Sequence, residues 1–149
     1  MIGEKIMSDI ILVSGGFDPI HSGHIKLINE AHKYGDVVVL LNSDQWLRNK
    51  KGKEFLPFDE RKIIMKNIKG VKEVIEFDDS DKTCIDGIQK AKSLYKNNII
   101  KFANGGDRKN DTTPEKEFCD RNNIETLFGI GGDDKSNSSS WILNKWNEK

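Results

Sequence analysis

The sequence contains few cysteines and no long apolar segment. Cys84 and Cys119 are the two cysteines among its 149 residues, and their spacing does not fit a zinc site. We expect both thiols to be reduced, as in a cytoplasmic protein. The longest apolar runs, residues 10–13 and 37–41, are far too short to cross a bilayer, and residues 1–8 lack the apolar stretch of a secretory signal. The sequence therefore predicts a cytoplasmic protein without a membrane partner.

The sequence also lacks an excess of charge of either sign. Lysine and arginine together number 24, and so do aspartate and glutamate, so the formal net charge is zero. This balance disfavours a general nucleic-acid binder, which is held by neutralisation of phosphates. Any bound anion must instead meet a local cluster of positive groups. The length suits one domain with one core, which we assign to residues 9–149 after a loose leader over residues 1–8.

Short apolar runs alternate with segments of helical periodicity. Runs typical of parallel strands buried on both faces predict strands at residues 10–13, 37–41, 73–77, 99–103 and 124–128. Apolar residues at helical spacing fill most of the intervals, and residues 138–146 predict a last helix. This alternation indicates an α/β fold. We expect a single-domain, doubly wound, five-stranded parallel sheet, Rossmann-like, with strand order 3-2-1-4-5.

Glycine-rich or polar loops follow three of the predicted strands, at residues 15–16, 104–108 and 129–132. In an open α/β sheet, ligands bind at the carboxyl ends of the strands, where the strand order reverses. One glycine pair alone is typical of an ordinary tight turn. Three such loops on the same edge of the sheet favour a ligand site, because glycine lets the backbone approach a ligand closely.

A histidine pair follows the first strand. His21 and His24 are three residues apart, so we expect both imidazoles on one face of the first helical turn. The unpaired backbone N–H groups and the positive end of the helix dipole make that turn an anion site. Gly23 keeps the surface between the rings low, and Pro19 fixes the chain before the helix. The spacing therefore predicts two imidazole donors to phosphate oxygens.

Three other interpretations of these segments are weaker. A zinc pair on a helix usually needs a spacing of four and a third ligand, and no HExxH sequence is present. A dinucleotide-binding loop needs small residues where Pro19 and His21 stand, which argues against an NAD-dependent oxidoreductase. Gly52-Lys53 is followed by Glu54 instead of the serine or threonine of a Walker loop.

Residues 15–24, which read GGFDPIHSGH, resemble the GxFDxxHxGH signature of the cytidylyltransferase-like nucleotidyltransferases. The resemblance continues through residues 42–44, the basic loop at residues 48–53 and the helix start at residues 60–62, as in glycerol-3-phosphate cytidylyltransferases and the heptose-1-phosphate adenylyltransferase domain. Residues 102–107 are similar to the heptose branch, and the triple serine at residues 138–140 stands where the family carries a hydroxyl-rich segment. The resemblance covers nearly the whole chain, from residue 10 to residue 143.

The resemblance implies transfer of CMP or AMP from CTP or ATP to a small phosphorylated alcohol or sugar, with release of pyrophosphate. The acceptor would be of the glycerol-3-phosphate or heptose-1-phosphate type. A triphosphate substrate implies Mg²⁺, held largely by its own phosphates and not by a protein metal site. Related enzymes also imply a homodimer. The alternative is a nucleotide-binding module of the same fold without turnover.

The resemblance also implies the roles of individual site residues. The catalytic residues are His21, His24, Lys50 and Arg61. The nucleotide-binding residues are Gly16, Phe17, Asp18, His21, His24, Asn104, Gly106, Asp107, Ser138, Ser139 and Ser140. The acceptor-binding residues are Asp44, Arg61 and Lys135. Glycerol-3-phosphate enzymes carry an arginine shortly before the hydroxyl-rich segment, whereas this chain offers Lys135 there, so the acceptor is left open.

Overall fold

Five parallel strands form one sheet in the order that the sequence predicts. The computed structural model describes residues 7–105, 113–131 and 139–148. The strands are β1 (Ile10–Gly15), β2 (Asp36–Leu41), β3 (Val71–Glu76), β4 (Ile100–Gly105) and β5 (Glu125–Ile130). Their order is β3-β2-β1-β4-β5, and every neighbouring pair is parallel. The predicted fold class and strand order are confirmed, and the strand ends differ from the predicted ends by at most two residues.

Helices connect the strands. They are α1 (Ser22–His32), α2 (Asp44–Lys51), α3 (Phe58–Lys66), α4 (Ile85–Leu94), α5 (Pro114–Arg121) and α6 (Ser139–Asn147). Across the part of the chain that the structure describes, none of the helices is both long enough and apolar enough to span a bilayer.

Helix α2 corrects one expectation, because the predicted basic loop at residues 48–53 is helical up to residue 51. The helix begins after Ser43, whose hydroxyl accepts the backbone N–H of Trp46 at 3.0 Å and so caps the first turn. It ends at Gly52, whose φ of 94° favours glycine. Lys50 and Lys51 are therefore carried on a helix, and Lys53 lies beyond its end.

The sheet is covered on both faces. Residues 37–41 of β2 are fully buried, as the unbroken apolar run predicts. On one face the strands pack against Ile88 of α4 and Cys119 of α5, and on the other against Ile28 of α1 and Met65 of α3. With both faces covered, the carboxyl edge of the sheet is the place where loops and helix ends can build a site.

The two cysteines belong to the core and not to the chemistry. Both are free thiols and both are buried. Burial is the main cause that raises the pKa of Cys84 to about 12 and that of Cys119 to about 11. Since the thiolate is the nucleophilic form, neither group is a nucleophile at neutral pH.

Candidate active site

The two histidines cap the start of α1, because each ring accepts a backbone N–H group there. His21 is the N-cap residue, and its Nδ1 accepts the N–H of Gly23 at 3.0 Å. The Nδ1 of His24 accepts the N–H of His21 at 3.2 Å, which completes a capping box. The two rings stack, with their centroids 3.8 Å apart and their planes at 29°. The predicted juxtaposition of the imidazoles at the helix tip is therefore present.

This capping arrangement assigns the tautomer of both rings. A nitrogen that accepts a hydrogen bond carries no proton, so the proton of each neutral imidazole resides on Nε2. Each Nε2–H is a hydrogen-bond donor of the kind that phosphate oxygens accept. The backbone N–H groups of Gly23 and His24 are bonded within the cap, so the predicted unpaired N–H groups are not available at these positions. The pair instead adds two side-chain donors to the positive end of the helix dipole.

His24 stays neutral over the whole physiological range. Its pKa falls from 6.5 to about 3, chiefly because burial disfavours the charged ring and then because of the nearby charges of His21, Lys51 and Lys50. A group that is unprotonated at pH 7 cannot serve as a general acid. The arrangement instead makes His24 an uncharged hydrogen-bond donor.

The depressed pKa of His24 predicts a loss of stability in mild acid. Below pH 6.5 the unfolded chain takes up a proton on His24, while the folded chain does not until about pH 3. Stability is therefore complete above pH 6.5 and is lost as the pH falls. The free energy of unfolding should drop by about 2 kcal/mol between pH 6.5 and pH 5 from this group alone.

Urea unfolding at both pH values would measure this loss. The variant His24→Asn should lose about 2 kcal/mol less stability over the same interval, because asparagine does not titrate. The matched control is His32→Asn, which removes an exposed histidine of the same helix. Equal pH dependence in the wild type and in His24→Asn would contradict the prediction.

Residues 16–21, between β1 and α1, form what we call the histidine loop. Asp18 connects this loop to the segment after α2. Its buried carboxylate accepts the backbone N–H groups of Phe55 at 2.6 Å and Leu56 at 2.8 Å. The Lys51 ammonium donates to the carbonyl oxygen of Asp18 and lies 3.8 Å from its carboxylate. In this arrangement Asp18 orients the loop, and its predicted contact with nucleotide stays a prediction.

Gly16 and Phe17 pack tightly at the start of the same loop. A Cβ atom built on Gly16 would lie 2.6 Å from the Leu47 side chain, so α2 approaches the backbone closely there. Phe17 adopts a positive φ of 50°, and its buried ring meets His24 edge-on at 4.8 Å between centroids. Nucleotide contact at these two positions stays a prediction. Backbone atoms would make it, because Gly16 has no side chain and the Phe17 ring is buried.

Two lysines of α2 lie near the histidine pair. Lys50, a predicted catalytic residue, places its Nζ 4.7 Å from the centroid of the Trp46 ring. Lys51 contacts Asp18, and both lysines contribute to the low pKa of His24. The sequence predicts a catalytic role for Lys50, and Lys51 is not among the predicted site residues. Helical spacing would have found it, because Lys51 lies two turns after Asp44 and hence on the same helix face.

Arg61 and Asp44 come together at 2.6 Å, between Nη2 and Oδ1. The Arg61 side chain is fully buried, and three further bonds run from its guanidinium to the carbonyl oxygens of Leu56, Gly16 and Asn42. Four bonds therefore hold the guanidinium inside the protein. Its predicted contact with an acceptor phosphate stays a prediction, and it would require the side chain to give up some of these partners.

The remaining predicted residues are placed only in part. Ser139, at the start of α6, donates its hydroxyl to the carbonyl oxygen of Pro19 at 2.8 Å, which brings this helix against the histidine loop. Ser140 follows it in α6, and Asn104 lies in β4. The predicted site residues Gly106, Asp107, Lys135 and Ser138 lie outside the described residues.

Asp79 is a buried carboxylate at this edge that the sequence analysis did not select. It follows β3, and its oxygens accept hydrogen bonds from the Asn42 side chain at 3.0 Å, the Ser43 N–H at 2.8 Å and the Ser43 hydroxyl at 2.7 Å. In the sequence it belongs to a polar run, residues 78–83, that is typical of a solvated loop. Its one signal was its position just after a strand of the parallel sheet.

The carboxylates of the site do not form a metal cage. Among residues 7–105, 113–131 and 139–148, no three His, Cys, Asp or Glu side chains lie together as metal ligands. Asp18 and Asp79 are committed to protein N–H and O–H donors, and Asp44 is paired with Arg61.

The stacked histidine pair stands on a helix tip at the carboxyl edge of a doubly wound parallel sheet, the edge where α/β proteins of this kind bind their ligands. The family profile described as cytidylyltransferase-like matches residues 12–139. The chain belongs to the cytidylyltransferase-like family.

Individual relatives agree with this assignment. Glycerol-3-phosphate cytidylyltransferase of Bacillus subtilis is 31% identical over 111 residues, which are 74% of this chain and 81% of the relative. The bifunctional protein HldE of Psychromonas ingrahamii is 37% identical over 78 residues, which are 50% of this chain but 16% of HldE. The fold matches the lipopolysaccharide core biosynthesis protein of Thermoplasma volcanium with a TM-score of 0.62, at 23% identity, over 81% of this chain and 93% of that one.

Proposed function

We propose that this protein transfers CMP or AMP from CTP or ATP to a small phosphorylated alcohol or sugar and releases pyrophosphate. The observation that carries the proposal is the stacked histidine pair. Both Nδ1 atoms are bonded to backbone N–H groups, which leaves the Nε2 atoms as the donors at the helix N-terminus, with His24 neutral and Lys50 and Lys51 of α2 nearby. Imidazole donors, lysine ammonium groups and a helix tip together form a site for a polyphosphate.

The proposed reaction is a single displacement. A phosphate oxygen of the acceptor forms a bond to the α-phosphorus of the triphosphate. The bond between that phosphorus and the oxygen bridging to the β-phosphate breaks, and pyrophosphate leaves in line with the attack. The protein supplies positioning and stabilisation of phosphate charge, and it forms no covalent intermediate. When bound, Mg²⁺ neutralises charge on the triphosphate.

The residues divide between the two substrates in this proposal. His21, His24, Lys50 and Lys51 face the triphosphate, with Ser139 nearby on α6. Asp44 faces the acceptor, where a carboxylate suits the hydroxyl groups of a polyol. Since the Arg61 guanidinium is buried and bonded to Asp44, it supports Asp44 in this proposal, and Lys50 and Lys51 supply positive charge for the phosphates.

Similarity favours glycerol-3-phosphate with CTP as the first substrate pair to test. The Bacillus relative is named for that acceptor, and this chain spans 81% of it. The match to HldE covers 16% of that protein, so heptose-1-phosphate with ATP is the second pair. Exchange of the triphosphates between the acceptors completes the panel.

Pyrophosphate release, measured with CTP and ATP against glycerol-3-phosphate and heptose-1-phosphate, tests the proposal. We expect turnover on at least one pair, well above that of a His24→Ala control. Absence of turnover above that control on every pair would overturn the transferase function. Triphosphate binding without transfer, seen by calorimetry, would point instead to a nucleotide-binding module of the same fold.

Removal of the Lys51 charge should weaken triphosphate binding. Lys51→Met should raise the KM for the triphosphate by about tenfold to a hundredfold, because a charge-assisted bond to phosphate is worth roughly 1.5–3 kcal/mol. The matched control is Lys26→Met, which removes an exposed lysine of α1. An unchanged KM in Lys51→Met would show that this lysine only fastens the loop at Asp18.

We also propose that the protein works as a homodimer. Helix α6 buries none of its residues, and Trp141 and Trp146 on it are 52% and 80% exposed. Exposed tryptophans at this density are typical of interaction surfaces. Sedimentation equilibrium should give a mass of twice the chain, and a monomer across the micromolar range would refute the dimer.

A further inference from the structure

Two buried charged side chains hold the turn between β2 and α2. We call this turn, Asn42, Ser43 and Asp44, the corner segment. Arg61 contacts it from α3, and Asp79 contacts it from the loop after β3. Five hydrogen bonds from these two side chains end on three consecutive residues. A turn at a sheet edge rarely receives so many side-chain bonds unless its position matters.

Asp79 makes three of those bonds. One of its oxygens, Oδ2, accepts both the Asn42 amide at 3.0 Å and the Ser43 N–H at 2.8 Å, and the other, Oδ1, accepts the Ser43 hydroxyl at 2.7 Å. The same hydroxyl accepts the N–H of Trp46 and so caps α2. Asp79 therefore fixes the first turn of the helix that carries Asp44 at its start and Lys50 and Lys51 at its end.

Arg61 holds the same segment from the opposite side. It bonds the carbonyl oxygen of Asn42 at 2.8 Å and the carboxylate of Asp44 at 2.6 Å. With Arg61 alone the corner segment would be tied at its first and last residues. Asp79 supplies the bonds to its middle residue, Ser43, and only with both is the direction of α2 defined.

We propose that Asp79 is a positioning residue for the proposed nucleotidyl transfer, acting through Ser43 on Asp44 and on helix α2. This inference rests on the proposed function. Asp79 touches neither substrate. Its buried carboxylate holds the acceptor side of the site in place before substrates bind, so that the two reacting phosphates meet in line.

The first test compares Asp79→Ala with Asp78→Asn. Asp78 is the exposed neighbour, and its carboxylate interacts with Ser80, whose N–H it accepts at 2.9 Å. Asp79→Ala should lower kcat/KM roughly a hundredfold, the typical cost of misplacing a site by about 1 Å. Asp78→Asn should stay within about twofold of the wild type. Equal activity of the two folded variants would overturn the proposal.

The separate Michaelis constants distinguish positioning from general damage. Asp44 directly follows Ser43, the residue that Asp79 bonds, whereas Lys50 and Lys51 lie nearly two turns further along α2 and the histidine pair is held by its own capping box on α1. Asp79→Ala should therefore raise the KM for the acceptor more than the KM for the triphosphate. An equal change in both, with kcat reduced only by the fraction of unfolded protein, would show a purely structural role.

Asp79→Asn provides a milder variant that keeps the proposal testable if Asp79→Ala does not fold. Asparagine retains one oxygen, enough for the two donors that now share Oδ2, and loses the acceptor for the Ser43 hydroxyl. It should recover most of the activity. Ser43→Ala removes that hydroxyl, and combining it with Asp79→Ala should cost little beyond the worse single variant. Full additivity would overturn the proposed action through Ser43.

Hydrogen exchange separates this inference from the proposed function. The N–H of Trp46 depends on Ser43, so Asp79→Ala should speed its exchange at least tenfold relative to Asp78→Asn. If the wild type turns over no substrate pair and the exchange still changes, the transferase proposal fails while the support of α2 by Asp79 stands. If the exchange is unchanged, the positioning role fails whatever the wild type catalyses.

Discussion

Replacement of His24 by asparagine is expected to lower kcat for nucleotidyl transfer roughly a hundredfold to a thousandfold, the usual cost of losing one donor that stabilises charge in the transition state. This variant removes the Nε2–H donor of residue 24 but can keep the hydrogen bond that caps the helix. The asparagine oxygen can take the place of Nδ1 and accept the N–H of His21, whereas the Nε2–H donor is lost. Melting by circular dichroism should show a fold as stable as the wild type at pH 7.

Two companion variants sharpen this experiment. His24→Gln sets an amide N–H near the position of Nε2 and should recover part of the lost rate, at the expense of the cap. His32→Asn, on the same helix but bonded to the carbonyl oxygen of Gly35, should leave kcat unchanged. A kcat for His24→Asn within tenfold of the wild type would remove the histidine pair from the proposed transition state.

Replacement of Arg61 by alanine is expected to destabilise the fold by about 3–5 kcal/mol, the range measured when one partner of a buried ion pair is removed. The Asp44 carboxylate would lose its cation, and three carbonyl oxygens would lose the donor that satisfies them. Those carbonyls belong to the loops after β1 and β2 and to the segment before α3. The whole carboxyl edge of the sheet on this side should loosen together.

The exposed Arg48 serves as a control that shows whether burial of Arg61 causes the expected loss of stability. Arg48 makes two bonds with Glu54, at 2.8 and 3.1 Å, on the exposed face of α2. Removal of its side chain should leave the unfolding midpoint almost unchanged, since exposed ion pairs contribute little to stability. Urea denaturation of Arg61→Ala and Arg48→Ala side by side measures the contrast. Equal midpoints would mean that the Arg61 bonds add nothing to the fold.

The sequence was sufficient for the sheet because its strands are buried on both faces. A parallel strand of this kind appears as an unbroken apolar run, as at residues 37–41, and helical spacing between such runs leaves few topologies. The spacing of three predicted that His21 and His24 meet at the helix tip, but the structure achieves this through a capping box, with His21 as the extended N-cap residue and His24 at the third helical position. Both the apolar run and the spacing of three are local patterns.

The support of the site was not predictable in the same way. Helix α2 is short and polar, and Leu47 is its one buried residue. Its sequence therefore lacks the apolar periodicity from which a helix is predicted. Arg61 and Asp79 resemble surface charges in the sequence. Three of the four partners of Arg61 lie 17 to 45 residues away, and the partners of Asp79 lie 36 to 37 residues away. Polar pairs between residues far apart in the chain produce no periodic pattern in the sequence, so the sequence does not predict them.

The reciprocal capping of the two histidines has a consequence for turnover. Because each Nδ1 accepts a backbone N–H and His24 stays neutral, His24 orients a bound polyanion without adding positive charge of its own. Uncharged donors bind phosphate less tightly than imidazolium cations would. In the proposed reaction, pyrophosphate and the nucleotide product would therefore leave against a weaker attraction, and His24 would be ready for the next triphosphate without first losing a proton.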